Sequence, residues 1–268
     1  MGDEFDISHH GSTFGREEKQ LMRIVVKGTD DPLSIFSNSQ NASVPPYLKH
    51  LELEGFGVSK FLKYRPRDHP NLALSQKLFA QRLQDVLLNR LDSSSKYDMY
   101  LHDLVDYLIT ECRLNDGLDL YTRVSNVPLK VGPQNFSVFS NREGRTKKGI
   151  AWTLQESMQK FDTRYRKGDI QLAASLIGAC QANLLQTGGE LKLKTMYGLK
   201  VLGEEFFFCK IDFDADYLRQ IARGSPDREL VLYRYPQSRG LRISKPDDRK
   251  KLLYCMYRLR EQLLASGR

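Results

Sequence analysis

One acidic residue stands at the end of an apolar strand pattern in the middle of the chain. Residues 149–158 are Gly-Ile-Ala-Trp-Thr-Leu-Gln-Glu-Ser-Met, and the two-residue period of a strand predicts one shared face for Ile150, Trp152, Leu154, Glu156 and Met158. A carboxylate beside apolar neighbours is costly unless it is paired, solvated or bound to a metal ion. Glu156 is therefore a candidate for a chemical role. The alternative is a strand that simply reaches solvent at this residue.

Basic residues flank this strand at both ends. The segment before it contains Arg142, Arg145, Lys147 and Lys148, and the segment after it contains Lys160, Arg164, Arg166 and Lys167. The chain as a whole carries a net charge of +8. Clustered positive side chains attract phosphates through salt-sensitive forces. The clusters predict a nucleic-acid-binding surface, DNA or RNA, and the alternative is a pair of ordinary solvated turns.

The other residue types that could do chemistry are scattered. His9 and His10 are adjacent but lie in a polar N-terminal stretch, and no Ser-His-Asp order can be argued. The four cysteines are far apart and form no CxxC pair, which predicts buried, reduced thiols and no disulfide framework: Cys112, Cys180, Cys209 and Cys255. Reduced thiols indicate an intracellular setting, cytoplasmic or nuclear.

The elements that would position these residues follow from hydrophobic periodicity. Helical patterns cover 75–91, 97–114, 169–185, 214–223 and 246–265, and the helix at 169–185 is apolar on nearly all sides. Strand patterns cover 21–26, 129–131, 136–139, 150–154, 194–202, 206–212 and 229–235. This order predicts an α/β fold with a central mixed sheet flanked by helices.

The composition permits one packed domain with added segments. Hydrophobic residues make up 40% of the chain and charged residues 28%, and no apolar run is long enough to span a membrane. Residues 1–47 are rich in turn-forming types and predict a partly flexible segment. We expect a single α/β domain over 48–268, with its core at about 97–235 and a C-terminal helix at 246–265.

The middle of the chain resembles fungal proteins with PD-(D/E)XK nuclease-like domains. The resemblance covers roughly residues 97–235. It is carried by the strand entry Pro133-Gln134-Asn135, the strand ending Gln155-Glu156, the helix that begins Gly168-Asp169-Ile170-Gln171, and the hairpin at 196–211. It implies a restriction-endonuclease-like core with N-terminal helical additions.

The resemblance also implies a chemistry and a set of site residues. In that family two carboxylates hold magnesium, which activates water against a phosphodiester, and a lysine assists. Carried over, the catalytic positions are Glu156, Lys160 and Gln171, and the metal positions are Glu111, Asn135 and Glu156.

Two departures from the family pattern weaken the case for catalysis. The Pro-Asp position is Pro133-Gln134, and the lysine position is Met158, so that Lys160 would have to substitute. An amide oxygen is a weaker magnesium ligand than a carboxylate. The sequence thus predicts a degenerate nuclease-like protein that binds nucleic acid with weak or no cleavage. A catalytically inactive protein–protein interaction module is the alternative.

Overall fold

The fold is that of a computed structural model, which describes residues 16–36, 43–91, 98–115, 121–157, 165–224 and 226–267. Its helices are α1 (Arg16–Leu21), α2 (Val58–Leu62), α3 (Leu74–Leu91), α4 (Met99–Glu111), α5 (Tyr165–Gln186), α6 (Ala215–Arg223) and α7 (Pro246–Gly267). Its strands are β1 (Ile24–Gly28), β2 (Tyr121–Val131), β3 (Gln134–Thr146), β4 (Gly149–Ser157), β5 (Thr195–Leu202), β6 (Glu205–Asp212), β7 (Leu230–Tyr235) and β8 (Leu241–Arg242). Short 3-10 turns cover Pro32–Ser34, Pro46–Glu52 and Pro66–Asp68.

The described strands form one eight-stranded mixed sheet. Its order is β1-β7-β6-β5-β4-β3-β2, and β8 pairs with the start of β6. The pairs β1–β7 and β4–β5 are parallel, and the other pairs are antiparallel. Helices lie against both faces of the sheet, which confirms the predicted central mixed sheet flanked by helices.

Helix α5 connects the parallel strands β4 and β5, a connection that requires a crossover. It packs across the sheet, against strands β2 to β5. Its central residues from Leu172 to Cys180 are buried, so the all-round apolar pattern is explained by sheet contact. Gly198 of β5 permits this close approach, because a Cβ there would lie 2.7 Å from the Leu172 side chain.

Two hydrophobic cores fill the two faces of the sheet. Helices α3, α4 and α7 cover one face, where Trp152 and Leu154 of β4 point. Helices α5 and α6 cover the other face. We call these the α4 face and the α5 face.

Two register shifts change which side chains share a face. In the β3–β4 pair, Gly144 is opposite Trp152 but Arg145 is opposite Ile150, so Ala151 is an extra residue in β4. Such a bulge reverses the alternation of side chains. Ile150 therefore packs in the α5-face core, and the predicted shared face with Trp152 and Leu154 is wrong at this residue.

The β2–β3 hairpin is much longer than its apolar pattern indicates. The predicted strands 129–131 and 136–139 are the turn-proximal ends of β2 and β3, which continue through polar residues such as Asn126 and Arg142. Backbone pairing does not require apolar side chains on exposed positions, so hydropathy misses these parts. The predicted strand within the segment 1–47 is also present, as the edge strand β1 beside β7.

The cysteine prediction is confirmed, since all four thiols are free and buried. Within the described ranges, no helix is long and apolar enough to cross a membrane.

Candidate functional site at the end of strand β4

The carboxylate of Glu156 is buried between β4 and helix α4. Its side chain has no exposed surface, and its Oε2 contacts His102 Nδ1 of α4. Its other oxygen, Oε1, has no hydrogen-bond partner. The Glu156 backbone N–H donates to Asn141 Oδ1 of β3 at 3.0 Å. Glu156 is thus a buried acid held by one histidine and positioned by one asparagine.

A bulge in β3 brings a second ion pair to the same place. Arg123 pairs with Glu143 and Ser125 with Ser140, so Asn141 and Arg142 together lie opposite Val124. This extra residue turns Arg142 to the α4 face. Its Nε and Nη2 donate to Asp106 Oδ1 and Oδ2 of α4 at 3.0 and 2.6 Å, a bidentate pair.

Burial and neighbouring charge act in opposite directions on Glu156. Burial raises the pKa of Glu156 above its ordinary value, because a carboxylate loses hydration there. The His102 contact and the Arg142 charge lower that pKa, but they do not fully offset burial. The hydrogen bonds to Asp106 raise the pKa of Arg142, and the nearby Glu156 charge adds to this effect. The site is thus a short alternating array of acid and base.

The predicted metal set is not brought together. Glu111 lies nine residues beyond His102, about 14 Å farther along α4, and its Oε2 contacts His50 Nε2 at 3.0 Å. Asn135 lies six residues before Asn141 on the extended strand β3, which separates them by about 20 Å. Periodicity predicted that Glu111 lies near the apolar face of its helix. The end of β4, however, contacts α4 at His102, near the start of the helix, whereas Glu111 is its last residue.

Gln171 lies on the other side of the sheet from Glu156. Gln155 Nε2 reaches Ser175 Oγ of α5 at 3.5 Å, and that hydroxyl donates to the Gln171 carbonyl at 3.0 Å. Glu156 contacts α4 instead. Because adjacent strand residues point to opposite faces, a catalytic pairing of Glu156 with Gln171 does not form. Lys160 and Met158 lie outside the described residues.

The predicted nucleic-acid residues divide into three groups. Arg142 is bound to Asp106, and Arg145 is bound through Nε to the fully buried Glu143 at 2.6 Å. Lys147 and Lys148 lie in the β3–β4 turn, at the opposite end of β4 from Glu156. Arg164 and the side chains of Arg166 and Lys167 lie outside the described part of the chain. Arg142 and Arg145 are therefore ion-paired residues of strand β3, which corrects their predicted placement in a turn; their role in binding nucleic acid stays a prediction.

No protein-family model matches this chain, and no curated protein matches its sequence.

Three residues that sequence reasoning missed complete the site: His102, Asp106 and Asn141. His102 and Asp106 are four residues apart on α4, a spacing that places both on one side of the helix, and this signal was available. Asn141 carried no signal, because the bulge that aims it exists only in the paired strands.

A second buried ionic group lies on the α5 face. Asp169 of α5 contacts Lys200 of β5 through Oδ1 and Arg234 of β7 through Oδ2, and the Phe207 ring lies 4.8 Å from Lys200 Nζ. Asp169 and Lys200 have only 1% of their side-chain surface exposed. This group joins α5 to two strands, and breaking one partner of such a pair is strongly destabilising.

The oxygen atoms near Glu156 do not fit magnesium as arranged. Magnesium is held by carboxylates and water in octahedral geometry, whereas Asp106 is bound by Arg142 and Asn141 Oδ1 accepts a backbone N–H. A guanidinium beside the carboxylates also repels a dication. Among the described residues, no group of three or more His, Cys, Asp or Glu side chains is placed to hold a metal ion.

Proposed function

We propose that this chain is a nuclease-like protein that binds nucleic acid and has lost robust metal-dependent phosphodiester cleavage. The order of elements supports the resemblance on which the proposal rests. Helix α4 is followed by the hairpin β2–β3, the strand β4 that ends in Gln155-Glu156, helix α5, and the hairpin β5–β6.

The loss of cleavage is proposed from one observation: the polar side chains beside Glu156, those of His102, Asp106, Asn141 and Arg142, are already bound within the chain. His102 holds one carboxylate oxygen, Arg142 holds both oxygens of Asp106, and the oxygen of Asn141 accepts from Glu156. A divalent ion that used Asp106 as a second carboxylate ligand would have to displace the bidentate Arg142. Metal-assisted hydrolysis needs open carboxylate ligands and a water in line with the phosphate.

Nucleic-acid binding is proposed from charge. The chain has 41 lysines and arginines against 33 aspartates and glutamates. A polyanion releases condensed counterions when it binds such a surface, so its affinity depends steeply on salt. The direct test is a salt titration of the full chain against single- and double-stranded DNA and RNA, and we expect the affinity to fall linearly on a logarithmic salt axis.

The cleavage test compares five proteins with magnesium and then manganese on the same nucleic acids: the native chain, Glu156→Gln, Met158→Lys, the double variant Asn141→Asp with Met158→Lys, and that double variant with Glu156→Gln added. We expect binding without turnover in the native chain. Gain of cutting in the double variant, abolished by adding Glu156→Gln, would show a site disabled by those two positions. Metal-dependent turnover by the native chain that Glu156→Gln abolishes would overturn the proposal.

A protein-interaction role is favoured by one surface. Leu74 and Leu78 lie one turn apart on the same side of α3 and are 72% and 39% exposed. Exposed apolar side chains grouped on one helix are typical of docking surfaces. The salt titration separates the two roles, because an interaction module would bind no nucleic acid even at low salt.

A further inference from the structure

Helix α2 and the 3-10 turn after it present four exposed basic side chains within eight residues: Lys60, Lys63, Arg65 and Arg67. The exposed positions between 58 and 68 include one acid, Asp68, and one large apolar residue, Val58. This density of positive charge differs from the clusters beside β4, whose described arginines are ion-paired.

Buried side chains and hydrogen bonds from α3 hold the backbone of this basic segment in place. Phe61 and Tyr64, which alternate with the basic residues, are 0% and 3% exposed. Gln84 Nε2 of α3 donates to the carbonyl oxygens of Leu62 and Tyr64 at 3.2 and 3.0 Å. The Tyr64 ring stacks on His69 with centroids 5.5 Å apart. The basic side chains therefore project from a fixed frame.

A buried arginine fixes the preceding turn to helix α7. Arg249 is fully buried, and its guanidinium donates to the carbonyl oxygens of Glu52, Leu53, Phe56 and Ile243. Burial lowers the pKa of Arg249 to about 10, so it stays charged at neutral pH. This connection holds the start of α2 against the body of the protein.

The four basic side chains have little internal competition for an anion. Arg67 Nε lies 3.9 Å from Asp68, and both side chains are more than half exposed, so this pair is weak. Lys60 Nζ lies 5.4 Å from the Phe56 ring centroid. Among the described residues, no carboxylate lies within ion-pair distance of Lys60, Lys63 or Arg65.

We propose that Lys60, Lys63, Arg65 and Arg67 form the surface that holds the phosphate backbone of a nucleic acid. The inference rests on the proposed function and assigns its binding surface to α2 instead of to the turns beside β4. Lysine and arginine contacts to phosphate position a nucleic acid without reading its bases. An anionic membrane is disfavoured, because Val58 is the one exposed apolar residue here and surface-bound helices insert a broad apolar face.

The test replaces three of these residues together: Lys63→Gln, Arg65→Gln and Arg67→Gln. A matched control, Lys19→Gln with Lys192→Gln and Lys194→Gln, removes the same number of charges from exposed positions elsewhere. Both are titrated with single- and double-stranded DNA and RNA over a range of salt, after circular dichroism shows an unchanged fold. We expect the α2 variant to lose about tenfold or more in affinity and about 2 to 3 units of salt slope, since each phosphate contact contributes about 0.7 to 0.9. The control should retain most of both.

The outcomes separate the two proposals. Equal losses in the two variants, or an unchanged α2 variant, would overturn the assigned surface while nucleic-acid binding itself stands. A native chain that binds no nucleic acid at low salt overturns the proposed function and this inference together.

Binding to vesicles of phosphatidylserine is measured as well, to test for a membrane partner. If the native chain binds them but not nucleic acid, and the α2 variant does not, the partner is a membrane and the nucleic-acid assignment is wrong.

Discussion

Among the carboxylates that the structure describes, Glu156 is the one that keeps a buried oxygen without a hydrogen-bond partner. One of its oxygens contacts His102, and the other has no hydrogen-bond partner in a fully buried position. A buried acceptor without a partner costs about 1–3 kcal/mol. Buried polar atoms without a hydrogen-bond partner are uncommon in folded proteins. The residues around Glu156 therefore compensate the burial of its carboxylate only in part.

We predict that Glu156 makes stability fall as the pH rises. Burial holds its folded pKa above its unfolded value, so the unfolded chain releases this proton first. The stabilisation of the folded state by protonated Glu156 is present at low pH and is lost as the pH rises from about 4.3 through the folded pKa, by about 1.4 kcal/mol per unit of elevation. Glu156→Gln should lack this decline in urea unfolding measured between pH 4 and 7. The exposed Glu54→Gln is the control, and parallel curves for native chain and Glu156→Gln would contradict the prediction.

At the scale of elements, the pairing of strands β3 and β4 depends on a glycine, because Gly144 of β3 lies opposite Trp152 of β4. The Trp152 indole covers Gly144, and a Cβ on residue 144 would lie 1.5 Å from the indole Nε1. Trp152 is fully buried. The absence of a side chain at one position thus lets the bulged strands pair while the largest side chain of the core remains inside.

We predict that Gly144→Ala expels the indole from the α4-face core. The added methyl group cannot be accommodated without moving the ring or separating the strands, and overpacking of this kind costs about 1–3 kcal/mol or more. The chain contains one tryptophan, so fluorescence excited beyond the tyrosine absorption band reports on this ring alone and should shift to the red. Gly57→Ala is the control, because no atom lies within 4 Å of its added carbon. An unshifted spectrum with native stability in Gly144→Ala would show that the strands absorb the methyl group.

For the whole molecule, the sheet is completed by a strand from the N-terminal region. Strand β1 pairs with β7, and Met22 and Ile24 are 1% and 2% exposed in the α5-face core. The Tyr217 hydroxyl of α6 donates to the Met22 carbonyl at 2.7 Å. A domain counted from residue 48 therefore lacks one edge of its own sheet.

We predict that a chain beginning at residue 29 is less stable than one beginning at residue 16. Removing β1 exposes the β7 edge and withdraws two buried side chains that contribute about 1.5–3 kcal/mol each. At about 2–4 °C per kcal/mol for a chain of this size, the midpoint of thermal unfolding should fall by about 10 °C. Unpaired strand edges promote association, so light scattering should also show oligomers. Equal midpoints and monomers in both chains would show that β1 is dispensable.

The pattern of the sequence by itself determined the kinds and order of the elements. Hydrophobic periodicity predicted helices α3 to α7 and strands β5 to β7 with bounds that differ by a few residues, because these elements bury continuous apolar faces. The apolar helix that packs across the sheet was predicted for the same reason. The sequence pattern singled out Glu156 because an acidic residue at the end of an apolar strand face is unusual. The structure shows that its side chain is indeed buried.

The tertiary structure alone decided what surrounds Glu156. His102 lies 54 residues away from it in the chain, and Arg142 lies 36 residues from Asp106. The bulges at Asn141 and Ala151 reverse the alternation of side chains, and a bulge depends on how two strands pair, which no local periodicity records. For this reason the residues expected beside Glu156 lie elsewhere: Glu111, Asn135 and Gln171. The residues that do lie beside it are His102, Asp106 and Asn141.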